Sequence, residues 1–300
     1  MPIGEVLEPL RARYAAWLDM DDAQVLHDRD EDPTRVRAIQ ILLRLERGDP
    51  PSRSAALALA ASGCAALCLD ARAEPGGEWF DAVSAYCQGH IRKVTRRGRG
   101  AQWQATADLP GLTLTSGDTP TSGDIPTSGT PTSVATPTSG DTEIRVLVPG
   151  LVTELDKRVA KLQVGGTDIP ADADGEPVIA RAPATDESEP PSSAGAPLLT
   201  VHVPDSLDMT AGKLMAQTGH AGMLAATLLA ASDQSTLAAW RDAGCPARAV
   251  PADAPAWAEL TRQVARPRPA WRDQRLLAVR DAGFTEVAPG TVTVIAQLET

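Results

Sequence analysis

Residues 198–231 read LLTVHVPDSLDMTAGKLMAQTGHAGMLAATLLAA, and the change of period inside this stretch decides the fold. Leu198–Val203 is a short apolar, partly β-branched run with the composition of a strand. From Lys213 to Ala231 the chain turns to Ala, Leu and Met, strong helix formers, reached through Asp208-Met-Thr-Ala-Gly212. A strand feeding a long helix opens an α/β unit. Toward the C-terminus, Thr236–Asp242 predicts a second helix closed by Gly244, Ala247–Val250 a short strand and Ala256–Val264 a third helix. Leu276–Val279 and Thr291–Ala296 then predict two strands joined by a loop containing Ala288-Pro-Gly290. This β-α-α-β-α-β-β order predicts a small α/β sandwich built on a mixed sheet.

Toward the N-terminus the same signals recur. Ile39–Leu45 reads as a strand, Ser54–Leu69 as an alanine-rich helix, Glu78–Gln88 as a second helix, Ile91–Val94 as a basic strand and Ile144–Val148 as a late strand. Setting Ser62-Gly-Cys-Ala65 against Thr218-Gly-His-Ala221, and Val164-Gly-Gly-Thr-Asp-Ile169 against Ala282-Gly-Phe-Thr-Glu-Val287, suggests a divergent internal duplication. The bland alternative is that any two α/β halves align loosely. Thr115–Thr142 repeats Thr-Ser-Gly-Asp and Pro-Thr-Ser units with almost nothing to bury, which predicts a flexible insertion. The expected organisation is an acidic helical extension (1–32), a first half (33–181) carrying the insertion at 115–142, a linker (182–197) and a second half (198–300).

Three hundred residues with 43% hydrophobic and 22% charged side chains suit a globular chain of two units. Ten aromatics leave its cores to Ala, Leu and Val. No apolar run approaches the roughly 20 residues of a membrane span, and the first residues lack a secretory layout, so a cytoplasmic protein is expected. Cys64, Cys68, Cys87 and Cys245 lack the second ligand pair a zinc site wants, and they read as small buried residues. The net charge of −11 is concentrated in the N-terminal extension and the middle stretch. Residues 1–32 carry −6 and 115–197 carry −8, against +4 for 33–114 and −1 for 198–300, which leaves RNA open as a partner.

Two polar clusters stand out in the second half. In Gly212-Lys-Leu-Met-Ala-Gln-Thr-Gly-His220, the side chains of Lys213, Gln217 and His220 are four and three residues apart and share a helical face. The helix start beside them offers N–H groups for a phosphate or an oxyanion. The second cluster, Asp281-Ala-Gly-Phe-Thr-Glu286, follows a strand, with Thr291 and Thr293 opening the next. Singly each has a bland reading: a solvated lysine, a hydrogen-bonded core histidine, an Asx turn.

Together, Gly-Lys-x3-Gln-x2-His and Asp-Ala-Gly-x-Thr-Glu-x-x-Pro-Gly-Thr-x-Thr resemble the archaeal and eukaryotic-type peptidyl-tRNA hydrolase family, the second of two unrelated families with that activity. The resemblance covers about residues 198–300. It implies a four-stranded mixed sheet with helices on both faces, and an enzyme that cleaves the ester joining a peptide to the terminal ribose of tRNA with no metal or organic cofactor. Carried over by position, the family's site residues fall on Lys213, Gln217, His220, Asp281, Thr285 and Thr291. At the positions matched to Lys213, Gln217, His220 and Asp281 the first half has Leu57, Ala61, Cys64 and Gln163, keeping only Thr167 opposite Thr285, so it reads as a non-catalytic copy. Its basic strand (Arg92, Lys93, Arg96, Arg97, Arg99) reads either as a charged sheet edge or, with Arg248, as a phosphate-binding patch. The family's first loop is usually lysine-rich, whereas here it is Ser206-Leu-Asp-Met-Thr-Ala-Gly212, which motivates a second expectation: a tRNA-binding protein with a decayed site.

Overall fold

A computed structural model describes residues 2–17, 32–48, 50–118, 141–172, 177–183, 195–281, 287–288 and 290–300. The first half contains α1 (Glu8–Trp17), β1 (Arg37–Arg44), α2 (Arg53–Leu69), α3 (Phe80–Cys87), β2 (Arg92–Gly98), α4 (Gly100–Gln104), β3 (Gly111–Thr115), β4 (Glu143–Leu147), β5 (Gly150–Leu151) and α5 (Lys157–Ala160). The second half contains β6 (Leu198–Pro204), α6 (Ala211–Ser232), α7 (Gln234–Asp242), β7 (Ala247–Ala252), α8 (Ala254–Val264), α9 (Pro267–Gln274), β8 (Leu276–Arg280) and β9 (Val292–Glu299). Most elements lie where the patterns put them. The alternating Gly111–Thr115 strand, ending where the low-complexity repeat begins, and the Pro-started helix α9 add to the expected order. A proline in the first turn is compatible with a helix because the missing N–H has no intrahelical partner there.

Each half carries a mixed sheet, and the two sheets have the same topology. The first runs β2-β1-β4-β3, with β5 also on β1, and the second β7-β6-β9-β8. In both, the first two strands of the half pair in parallel and the remaining ladders are antiparallel. Helices cover both faces of the second sheet, α6 on one and α8 with α9 on the other, the latter around Val264, Ala270, Leu276 and Ile295. These two sheet-bearing halves are consistent with a duplication.

The halves meet along α2 and α6. Each helix lies on its own sheet and also touches the second strand of the other half, α2 on β7 and α6 on β2. The seam is made of small residues, so the backbones approach closely. A Cβ on Gly222 would stand 2.0 Å from Ala61 O, and one on Gly219 would stand 2.8 Å from Cys64 Sγ. Hydrogen bonds cross the seam: Ser62 Oγ donates to Gly244 O (3.0 Å) and Thr218 Oγ1 to Leu57 O (2.9 Å). One continuous core runs from Ile39 and Val146 of the first half to Val201 and Ala296 of the second. The N-terminal segment buries Val6, Leu7 and Leu10 in that core, and Ile3 N donates to Gln234 Oε1. Among the described residues no helix is long and apolar enough to cross a membrane.

All four cysteines are free and buried. Burial pushes the Cys64 thiol up to about 11 and Cys87 up to about 12, and it raises Cys68 and Cys245 as well. The thiolate is the reactive form. The native chain is therefore expected to resist iodoacetamide at pH 8 and to take up label at all four positions only after denaturation, as read by intact mass.

Candidate active site

The site forms where the start of α6 meets the end of β8. Thr210 caps α6, its Oγ1 accepting from Lys213 N (3.3 Å), which fixes Lys213 at the third helical position. Gln217 follows one turn later on the same face. On the sheet side, a register shift between Val279 and Arg280 turns the chain at the end of β8. The backbone then pins Asp281 from both ends: Asp281 N donates to Thr291 O (2.9 Å) and Gly290 N to Asp281 O (2.8 Å).

These two devices bring Lys213, Gln217 and Asp281 together. Lys213 Nζ lies 2.6 Å from Asp281 Oδ2, and Gln217 Nε2 donates to the same oxygen at 2.8 Å. Thr293 Oγ1 donates to Gln217 Oε1 (2.9 Å), which orients the amide so that its NH₂ faces the carboxylate. The Lys213 side chain is 14% exposed and that of Asp281 4%. At that burial, the attraction between the two charges is far less screened than in a surface pair. The result is a desolvated carboxylate held by an ammonium and an amide. Such a group can order a water molecule and accept its proton, beside a cation able to balance developing negative charge.

The remaining expected residues are placed differently. Thr291 stands at the rim, where its Oγ1 donates to Ala288 O (2.7 Å) and so tightens the turn holding Asp281. Thr285 lies outside the described residues. His220, one turn beyond Gln217, bonds across the seam to Lys93 Nζ at 3.3 Å. Burial and the positive charges of Lys93 and Lys213 hold its imidazole well below its ordinary value, so it is neutral at pH 7. Thr293 gains its role only from the structure; the signal for it in the sequence is its place two residues from Thr291 on one strand face.

The helix start is not an open anion site. Gly212 N donates to Thr167 O (3.0 Å) and Lys213 N to the cap, so the expectation of available N–H groups there is corrected for these two positions. Thr167 belongs to a segment of the first half that crosses the start of α6, and Arg53 reaches both Ile169 O and Met209 O (each 3.4 Å) beside it.

The matched positions in the first half also need correcting. Ser52 caps α2 by accepting from Ala55 N, just as Thr210 accepts from Lys213 N. Ser116 N donates to Thr142 O (2.9 Å) at the end of β3, mirroring Asp281 N and Thr291 O. The counterparts of Lys213, Gln217, His220 and Asp281 are therefore Ala55, Leu59, Ser62 and Ser116, not Leu57, Ala61, Cys64 and Gln163. Gln163 instead bridges to β2, accepting from Arg97 N (2.9 Å). The low-complexity insertion falls between β3 and β4 in the chain, as the residues between Asp281 and Thr291 fall between β8 and β9. On either alignment, the counterparts lack the lysine and the carboxylate.

The basic strand does not present five outward cations. Lys93 is the clearest correction, since its ammonium points into the seam toward Tyr86 and His220. Arg96 donates to Gln40 Oε1 (2.8 Å) and Leu162 O (3.1 Å), and Arg97 to Gln163 Oε1 (2.6 Å). On β7, Arg248 pairs with Glu299 (2.8 Å) and Thr200 (2.8 Å). Arg99 is exposed and Arg92 partly so.

Residues 198–298 match the family model of peptidyl-tRNA hydrolase PTH2. That match takes in β6 through nearly all of β9, and with them Lys213, Gln217, His220, Asp281, Thr285, Thr291 and Thr293. No match was found among curated proteins or among solved structures.

Proposed function

We propose that the chain hydrolyses the ester of peptidyl-tRNA, releasing the peptide and a reusable tRNA, with the chemistry in residues 198–300. The family match supports hydrolase activity of this kind at the level of the family. The observation that carries the reading to this chain is the buried Lys213–Asp281–Gln217 group inside the matched region. Asp281 orients a water molecule and takes its proton as the water oxygen attacks the ester carbonyl. Lys213 balances the charge that develops on the carbonyl oxygen. Collapse of the tetrahedral intermediate breaks the bond to the ribose oxygen, which leaves with the proton that Asp281 took from the water. Gln217, fixed by Thr293, keeps Asp281 aimed, and His220, Thr285 and Thr291 bind or frame the substrate end. Peptidyl-tRNA is the partner and the proposed chemistry calls for no cofactor, the first half being a non-catalytic copy that acts as scaffold.

The test is deacylation of diacetyl-lysyl-tRNA by the full chain, followed as loss of acid-precipitable label. Release of peptide with the tRNA intact is the expected result. Tight tRNA binding by folded protein without release would instead support a decayed, binding-only domain. That second reading gains little from the cations, because Lys93, Arg96, Arg97 and Arg248 are engaged within the chain, which leaves Arg99 exposed and Arg92 partly so.

A further inference from the structure

We infer that Lys93, supplied by the half of the chain outside the family match, is a positioning residue of the C-terminal site: it holds His220 as the tautomer protonated on Nε2, a hydrogen-bond donor rather than a base. The inference rests on the hydrolase reading for its catalytic consequence, but its geometry stands alone. Tyr86 Oη lies 2.6 Å from Ile91 O and 3.0 Å from Arg92 O, so the phenol spends its proton on a carbonyl and its oxygen is left as an acceptor. Lys93 Nζ lies 3.1 Å from that oxygen, 3.4 Å from Ile91 O and 3.3 Å from His220 Nδ1. An ammonium has three N–H groups and no lone pair. Its other neighbours, Met223 Sδ at 3.6 Å among them, only accept, and with no lone pair on Nζ the His220 contact is also Lys93 donating, so Nδ1 carries no proton. The imidazole proton is then on Nε2.

The seam is built to deliver this contact. Gly219, the residue before His220, leaves room for the Lys93 stem, since a Cβ there would stand 3.1 Å from Lys93 Cδ. Burial lowers Lys93 from its ordinary lysine value, and the groups acting on the pair are Lys213 on α6 itself, Tyr86 and Cys87 of the α3 helix, and Cys64 and Cys68 of α2. The thiols are held protonated by burial, so His220 is kept neutral first by its own burial and then by the two lysines, the charges that face it. Both oppose an imidazolium. In the topological counterpart the histidine is replaced by Ser62, which spends its hydroxyl on Gly244 O, so the arrangement belongs to one half only.

The test compares the full chain with Lys93→Met, which removes the cation and keeps the stem, and Lys93→Arg, which keeps a cation. In wild type, the ¹⁵N signals of His220 should show the Nε2–H tautomer, with the ring neutral from pH 8 to pH 5.5. In Lys93→Met the value should rise but stay below the ordinary imidazole value, because burial and Lys213 still oppose protonation. The sign follows from removing a cation that opposed protonation. Peptide release by that variant, divided by the wild-type rate, should then fall wherever His220 of the variant gains its proton and stay level above pH 7. Lys93→Arg should restore the wild-type profile. A wild-type His220 that titrates near the ordinary value of about 6.5 or carries its proton on Nδ1, or a His220 titration that Lys93→Met leaves unmoved, overturns the inference, and the wild-type spectrum decides even if the methionine variant fails to fold. Absence of turnover in every protein would defeat the hydrolase reading while the ¹⁵N titration still reports on Lys93 and His220.

Discussion

Asp281→Asn is expected to lower kcat for peptide release by about 10²–10⁴-fold, the range lost when a positioned proton acceptor is removed. The substitution is nearly isosteric. The new amide would keep an oxygen for Gln217 Nε2 and Lys213 Nζ, and the backbone bonds to Thr291 and Gly290 do not involve the side chain. What it removes is the negative charge that accepts the water's proton. Lys213→Met should cost a similar factor for a different reason, because it leaves Asp281, 4% exposed, without its counter-ion. In both variants KM should move far less than kcat, since the loss falls on the transition state. Wild-type turnover in a folded Asp281→Asn protein would remove Asp281 from the chemistry.

Gly222→Ala should lower the melting temperature by roughly 4–8 °C, although alanine is the better helix former. Helix propensity favours the change by about 1 kcal/mol. Against it, the new methyl would stand 2.0 Å from the carbonyl oxygen of Ala61 and 2.8 Å from its carbon. Backbone cannot swing aside as a side-chain tip does, so α2 and α6 must separate, and the seam loses packing along its length. Overpacking typically costs about 1–3 kcal/mol, and a backbone clash this close belongs at the top of that range, leaving a net loss of about 2 kcal/mol. Gly165→Ala is the control, because nothing lies within 4 Å of the place its methyl would take and its φ is not left-handed. It should melt within about a degree of wild type, its surface change being worth less than about 0.5 kcal/mol. A Gly222→Ala protein as stable as wild type would mean the seam is looser than its geometry.

What was legible in the sequence was local. Leu198–Val203 and Lys213–Ala231 announce themselves by period, and the spacing of Lys213 from Gln217 puts both on one helix face. The juxtaposition with Asp281 was legible only through the resemblance, since nothing in the spacing closes the 64-residue interval from Gln217. The common topology of the halves was legible in outline but the alignment slipped in register: Ser62-Gly-Cys-Ala looks like Thr218-Gly-His-Ala, yet the caps Ser52 and Thr210 set an offset two residues away. Glycines that pack a seam carry no mark of which half they face. Gly63 meets Val146 of its own sheet, whereas Gly222 meets the other half's helix. The place of Lys93 was hidden for the same reason. Strand alternation says that Lys93 and Arg92 point to opposite faces, but not that one of those faces is covered by α6, whose His220 lies 127 residues further along the chain.

The most direct measurement is peptide release in H₂¹⁸O by the wild-type chain beside Asp281→Asn, with both products weighed. The account predicts one labelled oxygen in the new peptide carboxylate, none in the tRNA, a 3′ end that can be charged again, and loss of the labelled peptide with Asp281→Asn. Release that leaves the label in the RNA, or labelled release undiminished by the substitution, would contradict it.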